Sequence, residues 1–438
     1  MQIDNTTLKD LNIFSSEDEN GSIYNLLNFA QTIDGRQFLK AILSNPLDTV
    51  DAIEDVQILL QELQAVQNKF PKKITNGSIM VMEKFYETPI EDLPQKPNKL
   101  NTLIYKLING TDYAVTTYSI IHFVHFVNGM YFITKLLQHT KSKSLKTWIE
   151  KISFLLKHPV VQQMIAIEDE TKLTNTQKIY FANHLKYNFK HTCIQLIEQY
   201  ARLDAYLGLA IACSHYGFSF PKFVTTPIPS FKVKGLYHPL LKQPISYDVD
   251  LQKDKNFLFL TGANMAGKST FIKAAGIAVF LAHVGMGVPA KNLELSCFDG
   301  LLSNIQVNDD ITKGESYFFN EVQRIKKTAE IIGNGKNWFI LIDELFKGTN
   351  IQDAMKCSIT VINGLHKMQN ALFILSTHLY EIGNDIKHNQ NIVFNYFETK
   401  IVNNELQFGY LLKEGISNDR LGYLILEKEG VVELLKKL

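Results

Sequence analysis

From about residue 20 to residue 215, apolar side chains recur at three- and four-residue spacing, the period of amphipathic helices, with Gly and Pro mostly at the joints. Leu26, Leu27, Ala30, Phe38, Leu39, Ile42 and Leu43 open this series, and Asn45-Pro46 ends its first part. Asp48 or Thr49 caps the next predicted helix, which runs to Val66 with Ile53, Val56, Leu59, Leu60 and Leu63 on one side. The run from Tyr118 to Leu137 is apolar enough to raise a membrane span, but His122, His125 and Asn128 sit near its centre, where hydrocarbon would penalise them. A buried helix is the expectation. A long helix predicted over residues 176–216 is followed by Gly217 and Pro221, which mark a domain boundary.

Beyond that boundary the pattern changes. Short β-rich runs, Phe257 to Thr261, Trp338 to Ile342 and Leu372 to Ser376, alternate with helical stretches, the signature of an α/β sheet. Ile392 to Ile401 and Glu405 to Leu412 flank Asn403-Asn404, which predicts a β-hairpin. The expected fold class is α/β, an all-helical domain over residues 1–222 followed by a sheet-containing domain over residues 223–438.

Composition narrows the class further. The 438 residues, 45% apolar and 20% charged, can bury a large core and exclude a disordered or fibrous chain. Lys+Arg 45 against Asp+Glu 44 leaves a net charge of +1, so a polyanionic partner must be met by a local patch. Residues 1–100 hold 9 basic and 15 acidic side chains, whereas residues 101–200 hold 11 and 6, together with six of the twelve His. The second hundred is the place for such contact, unless its lysines only keep a helix face solvated. Arg is confined to Arg36, Arg202, Arg324 and Arg420, so phosphate contacts would fall mostly to Lys. Cys193, Cys213, Cys297 and Cys357 are far apart and form no C-x-x-C, which argues against a disulfide framework or a Cys-rich zinc site. The first ten residues carry neither the basic stretch nor the apolar run of a secretion signal, so a cytoplasmic protein is expected.

The chemistry is concentrated in the second half. Gly262-Ala263-Asn264-Met265-Ala266-Gly267-Lys268-Ser269 fits G-x-x-x-x-G-K-[ST], with a predicted strand before it and an amphipathic helix from Thr270 after it. The glycines let the backbone curl so that several N–H groups and a helix amino terminus face one anion. Lys268 would reach the β- and γ-phosphates of a nucleotide, and the Ser269 hydroxyl would bind Mg²⁺. About 75 residues on, the apolar run Phe339 to Ile342 ends in Asp343-Glu344. Asp343 would hold the Mg²⁺ shell and Glu344 would polarise the attacking water; a bare strand cap is the alternative, which the spacing disfavours. Ser376-Thr377-His378 follows another strand, where His378 would bond a γ-phosphate oxygen or the water, although a strand-end His is more often structural. Between the Gly262 to Ser269 loop and Asp343-Glu344, Gly314-Glu315-Ser316 opening a helix forms an anion site from backbone N–H groups and a hydroxyl.

With these motifs together, the chain resembles the MutS family of DNA mismatch-repair ATPases. Asn264 and Met265 match the unusual interior of that family's Walker A loop, here Gly262 to Thr270, and the likeness continues through Val288-Pro289-Ala290, Asp309-Asp310, Ser316, Asp343-Glu344, Gly348-Thr349 and Thr377-His378. Tyr237-His238-Pro239 is similar to the family's His-Pro segment. In the first half, Ile3-Asp4 through Leu11-Asn12-Ile13, and Thr32-x-x-Gly35-Arg36-x-x-Leu39 to Asn45-Pro46-Leu47, resemble the start of the helical core, and Leu203-Asp204 to Pro221 the helix that re-enters the ATPase.

The resemblance implies a helical core and lever domain over residues 1–222 and an ABC-type P-loop ATPase domain over residues 223–438, with ATP and Mg²⁺ as cofactors. It implies a homodimer with composite sites, in which Ser316 of one chain completes the site that Lys268, Ser269, Asp343, Glu344 and His378 build in the other. It also implies DNA as the partner, a mismatched or otherwise structured duplex, with other repair factors and no membrane.

Several positions depart from the family pattern. Met1 stands at the start of the core, so the amino-terminal mismatch-reading domain with its Phe-x-Glu wedge is expected to be missing, and Leu438 falls short of the full dimerisation tail. Recognition of junctions or other DNA shapes therefore competes with mismatch repair proper. Ala263 and Ala266 replace a Pro and a Gly, Glu315 an Arg, Tyr317 a Thr, and Phe346-Lys347 a Gly-Arg pair. A carboxylate beside a partner's γ-phosphate is repulsive, so Glu315 either points away or weakens the composite site. A MutS-derived nucleotide-binding module with weakened catalysis is thus one alternative. The ATPase subunit of a membrane transporter is another, disfavoured because the helical half precedes the ATPase motifs and Ser316 lacks a Leu-Ser-Gly-Gly context.

Overall fold

A computed structural model describes residues 1–14, 21–90, 92–167, 169–226, 228–305, 317–402, 405–417 and 431–436. The chain forms two compact units, Met1–Leu26 with Asn45–Ile53 and His215–Leu438, and Leu27–Ser44 with Glu54–Ser214. This division differs from a single cut between residues 222 and 223, because two early segments pack into the carboxy-terminal unit.

The helical unit is built around the helix Gly110–Leu136 and the long helical stretch Asn175–Tyr216, which is interrupted by a π-helical turn at Leu185–Phe189. Capping boxes at Thr75/Ser78, Asn98/Asn101 and Thr174/Gln177 fix three of its helix starts. The helix Gly110–Leu136 buries residues such as Ile120, Phe123, Phe126 and Ile133. Its polar residues find partners sideways: His125 Nε2 lies 2.6 Å from Glu170 Oε1, and Asn128 Nδ2 donates to the Ile167 carbonyl at 3.3 Å. No described helix is long and apolar enough to cross a membrane.

A buried carboxylate ties two distant stretches of this unit together. Asp204 accepts hydrogen bonds from Thr32 N at 2.8 Å, Thr32 Oγ1 at 2.7 Å and Gln31 N at 3.1 Å, satisfying the start of the helix Ile33–Ser44. A Cβ on Gly35 would stand 2.2 Å from Asp204 Oδ2, so the helix approaches the carboxylate only because residue 35 is glycine.

The other unit holds two sheets. The larger has the order β1 (Gln2–Ile3), β7 (Gly300–Asn304), β8 (Trp338–Asp343), β9 (Ala371–Thr377), β5 (Phe257–Thr261), β10 (Ile392–Val402) and β11 (Glu405–Glu414). All neighbouring pairs are parallel except β10 with β11. Every residue of β5, β8 and β9 is buried, as expected for parallel strands covered on both faces. The predicted hairpin is present as β10 and β11, with a bulge between Glu398 and Thr399, while Asn403 and Asn404 lie outside the described residues. A smaller sheet orders β2 (Lys222–Phe223), β6 (Asn292–Leu295), β3 (Phe231–Leu236) and β4 (Tyr247–Leu251). Helix Lys268–Val284 touches β8 and β9 of the first sheet and β3 of the second, and is therefore buried nearly all round.

The amino-terminal segment completes this unit. β1 pairs in parallel with β7, and the terminal ammonium donates to the Pro46 and Leu47 carbonyls at 3.1 and 2.9 Å. Asp10, 1% exposed, accepts from Ser303 Oγ, from Ile305 N at 3.1 Å and from Arg324 Nη2 at 3.3 Å. A buried charge is tolerable when paired and bonded in this way.

Candidate nucleotide site

The strand β5 delivers the chain into the Gly262–Gly267 loop at the carboxyl end of a parallel sheet. The loop turns through left-handed backbone at Gly262, Met265 and Gly267, with φ of 143°, 68° and 106°. Gly262 also packs its backbone against Phe397, and Gly267 faces the Tyr410 ring at 3.2 Å from where a Cβ would stand. A side chain at either position would meet both strain and crowding.

Gly267 caps the helix that follows, and Phe271 N donates to the Gly267 carbonyl at 3.0 Å as its first turn. The N–H groups of Lys268, Ser269 and Thr270 precede that ladder, which aims the positive end of the helix at the loop. Lys268 bends back over the loop, donating to the Gly262 and Ala263 carbonyls at 2.7 and 3.0 Å. Burial pushes its pKa down, against the attraction of Glu344 and Asp343. Ser269 and Met265 are exposed, and Ala266 is buried.

The acidic side is assembled from β8 and β9. Asp343 is buried at the end of β8, where Ser376 Oγ donates to its Oδ1. Glu344 turns into left-handed backbone, φ 63°, while its N–H donates to the Ser376 carbonyl at 2.9 Å. Its carboxylate lies between two bases, 3.5 Å from His378 Nδ1 and 3.2 Å from Lys347 Nζ. The hydrogen bond from His378 and the charge of Lys347 overcome burial and hold its pKa near about 2.

Lys268, Ser269, Thr270 and Glu344 line one cavity of about 720 Å³ with Tyr247 and Tyr410. That volume falls within the range of small-molecule sites. His238 lines the same cavity, and burial pushes its pKa down to about 4, so it faces the cavity as a neutral ring. Asp343 and His378 are not lining residues: His378 touches the lining carboxylate of Glu344, and Asp343 is bonded to Ser376. Ser316, with Asp309, Asp310 and Glu315, lies outside the described residues. Sequence reasoning missed Tyr247 and Tyr410, which stand on β4 and the far strand of a hairpin. It noted Lys347 only as a departure from the resemblance. None of these three sits in a recognisable motif.

The donor set suits a hard cation. A hydroxyl at Ser269 and a carboxylate at Asp343 are oxygen ligands of the kind that Mg²⁺ takes beside phosphates and water. Among the described residues no group of three or more His, Cys, Asp and Glu side chains is placed to hold a metal.

Residues 258–435 match the family model for MutS domain V. The carboxy-terminal part of the chain is thus similar to a MutS domain. Curated MutS relatives, each called DNA mismatch repair protein MutS, agree. The protein of Ehrlichia chaffeensis is 25% identical over 75% of this chain, that of Pseudothermotoga lettingae 28% over 55%, and that of Thermus aquaticus 32% over 42%. The matched stretches cover 38%, 29% and 22% of those MutS proteins respectively, so the chain spans well under half of each. The P-loop, Asp343-Glu344, His378 and the hairpin with Tyr410 all lie inside the MutS domain V match.

Proposed function

We propose that this chain is a MutS-type ATPase that binds and hydrolyses Mg²⁺-ATP and couples turnover to DNA. The observation that carries the reading is the convergence of Lys268, Ser269 and Glu344 on one cavity, with His378 3.5 Å from the Glu344 carboxylate. In this reading the loop from Gly262 to Thr270 wraps the phosphates, and Lys268 exchanges its two carbonyl partners for phosphate oxygens. The base stacks among Tyr247, Tyr410 and His238. A Mg²⁺ ion held by Ser269 and Asp343 neutralises phosphate charge when bound.

Glu344 is the residue for the attacking water. A carboxylate held near pKa 2 stays ionised and is a weak base, so its main effect is to orient and polarise the water. The water oxygen bonds to the γ-phosphorus as the bond to the bridging oxygen breaks, and the water's proton ends on the released phosphate. His378 keeps the carboxylate in place from the side opposite Lys347.

The helical unit acts as the lever, with DNA meeting lysines of the second hundred residues, and two chains pair so that Ser316 of one completes the site of the other. A cytoplasmic setting and other repair factors as partners belong to the same reading. The test is ATP turnover with matched, mismatched and branched duplexes, alongside gel shifts on the same DNA. Stimulation by one of them supports the reading. Absence of nucleotide binding in the presence of Mg²⁺ would sink it, and a preference for mismatches would decide against junctions or other shapes.

A further inference from the structure

The turn after β8 carries a backbone that it cannot hold by itself. Glu344 and Phe346 are both left-handed, φ 63° and 59°, a conformation that is strained for a non-glycine residue. Such strain persists only where the surroundings over-determine it. Here they do so from one face of the helix Tyr317–Ile332. Glu321, 5% exposed, accepts the Lys347 N–H at 3.2 Å on one carboxylate oxygen and the Gly348 N–H at 3.3 Å on the other. Three residues earlier, and so on the same face, the Phe318 ring lies 5.7 Å from the Phe346 ring. Lys347, fixed by its own backbone, sets its ammonium against Glu344 Oε2.

The chemistry of Glu321 is otherwise hard to account for. Burial raises its pKa, and the backbone donors of the turn work against that. An apolar side chain would avoid the desolvation cost at this position, so the carboxylate is useful only for the donors it meets. From this geometry we propose that Glu321 is a positioning residue for ATP hydrolysis, holding the 344–348 turn, and with it the Glu344 carboxylate, without touching the nucleotide. The proposal rests on the ATPase reading of the site. It makes the helix Tyr317–Ile332 a mechanical link, since any shift of the helix reaches Glu344 through two hydrogen bonds and a ring contact. One turn beyond Glu321, Arg324 ties the same helix to Asp10, 3.3 Å away.

Two measurements on the full chain test this: amide exchange of the peptide covering residues 344–350, and kcat and KM for Mg²⁺-ATP. Glu321→Gln keeps the size of the side chain but removes its charge. It is expected to speed exchange at Lys347 and Gly348 about tenfold and to lower kcat about tenfold, with KM within about threefold. Glu321→Asp, a milder change, should fall between, and serves if the glutamine variant does not fold. Glu330→Gln, exposed on the same helix, should move neither readout. Unaltered exchange in Glu321→Gln overturns the proposal whatever the turnover, and so does a rate loss that appears wholly in KM. If the wild-type chain turns over no ATP, the ATPase reading falls, while the exchange data still decide whether Glu321 holds the turn.

Discussion

The two walls of the candidate nucleotide cavity are built in opposite ways. The phosphate wall is local: strand, loop and helix follow one another from Phe257 to Val284, and its bends fall on Gly262, Met265 and Gly267. The acidic wall is gathered from three segments, with Glu344 and Lys347 on the turn after β8, His378 after β9 and Glu321 on the helix Tyr317–Ile332. A local wall keeps its shape through its own backbone. A gathered wall depends on side chains that each hold another in place, and its function should degrade in graded steps.

The largest effect tests the gathered wall at its centre. Glu344→Gln should lower kcat about 100- to 1,000-fold while ATP binding changes less than about threefold, measured by single-turnover hydrolysis and nucleotide titration. Unchanged turnover would remove Glu344 from its role. The local wall should fail in the opposite manner: Lys268→Ala should weaken ATP binding about 100-fold, because an ionic partner of the phosphates is lost, and titration with ATP reads it directly. If that variant lost only kcat, the contrast between binding wall and chemical wall would collapse.

A third prediction concerns the far end of the phosphate-wall helix. His283 is fully buried, accepting the Phe298 N–H at 2.9 Å on Nε2, and burial pushes its pKa down to about 4. The unfolded chain takes up that proton near the ordinary value of about 6.5, the folded chain only near 4. Stability is therefore full above about pH 6.5 and falls as the pH drops to 4, by up to about 3 kcal/mol from this residue. Denaturant titrations at several pH values should show that loss, and His283→Gln should flatten it.

The smallest effect belongs to Lys347→Ala. Its ammonium is partly exposed and only one of two partners of Glu344, so kcat should fall less than about tenfold with ATP affinity unchanged. A loss as large as that of Glu344→Gln would mean that Lys347 takes part in the chemistry itself.

Much of the local wall was legible in the sequence because its physics is local. Glycine at two of the three left-handed positions, a lysine and a hydroxyl residue at the helix start, and an apolar strand before them are all neighbours along the chain. The strands β5, β8 and β9 were legible for a similar reason, since strands buried on both faces read as unbroken apolar runs. The early segments were harder. Gln2–Ile3 is too short to signal a strand, yet it joins β7 and brings Asp10 to Arg324. The likeness of Thr32 to Leu39 and of Leu203-Asp204 to one family pattern gave two separate stretches, and nothing in their order said that Asp204 caps the helix containing Gly35.

The sequence alone determined which elements form and where the glycine-rich loop turns, because helix and strand periods and the loop conformation depend on residues within a few positions of each other. The tertiary structure decided which carboxylate meets which base, where the first residues of the chain pack, and which helix supports the 344–348 turn. Those outcomes depend on burial and on hydrogen bonds between residues tens to hundreds of positions apart, such as Glu321 with Gly348 or Asp10 with Ser303. Such partners are chosen by the packing of the whole unit, and no window along the chain contains both.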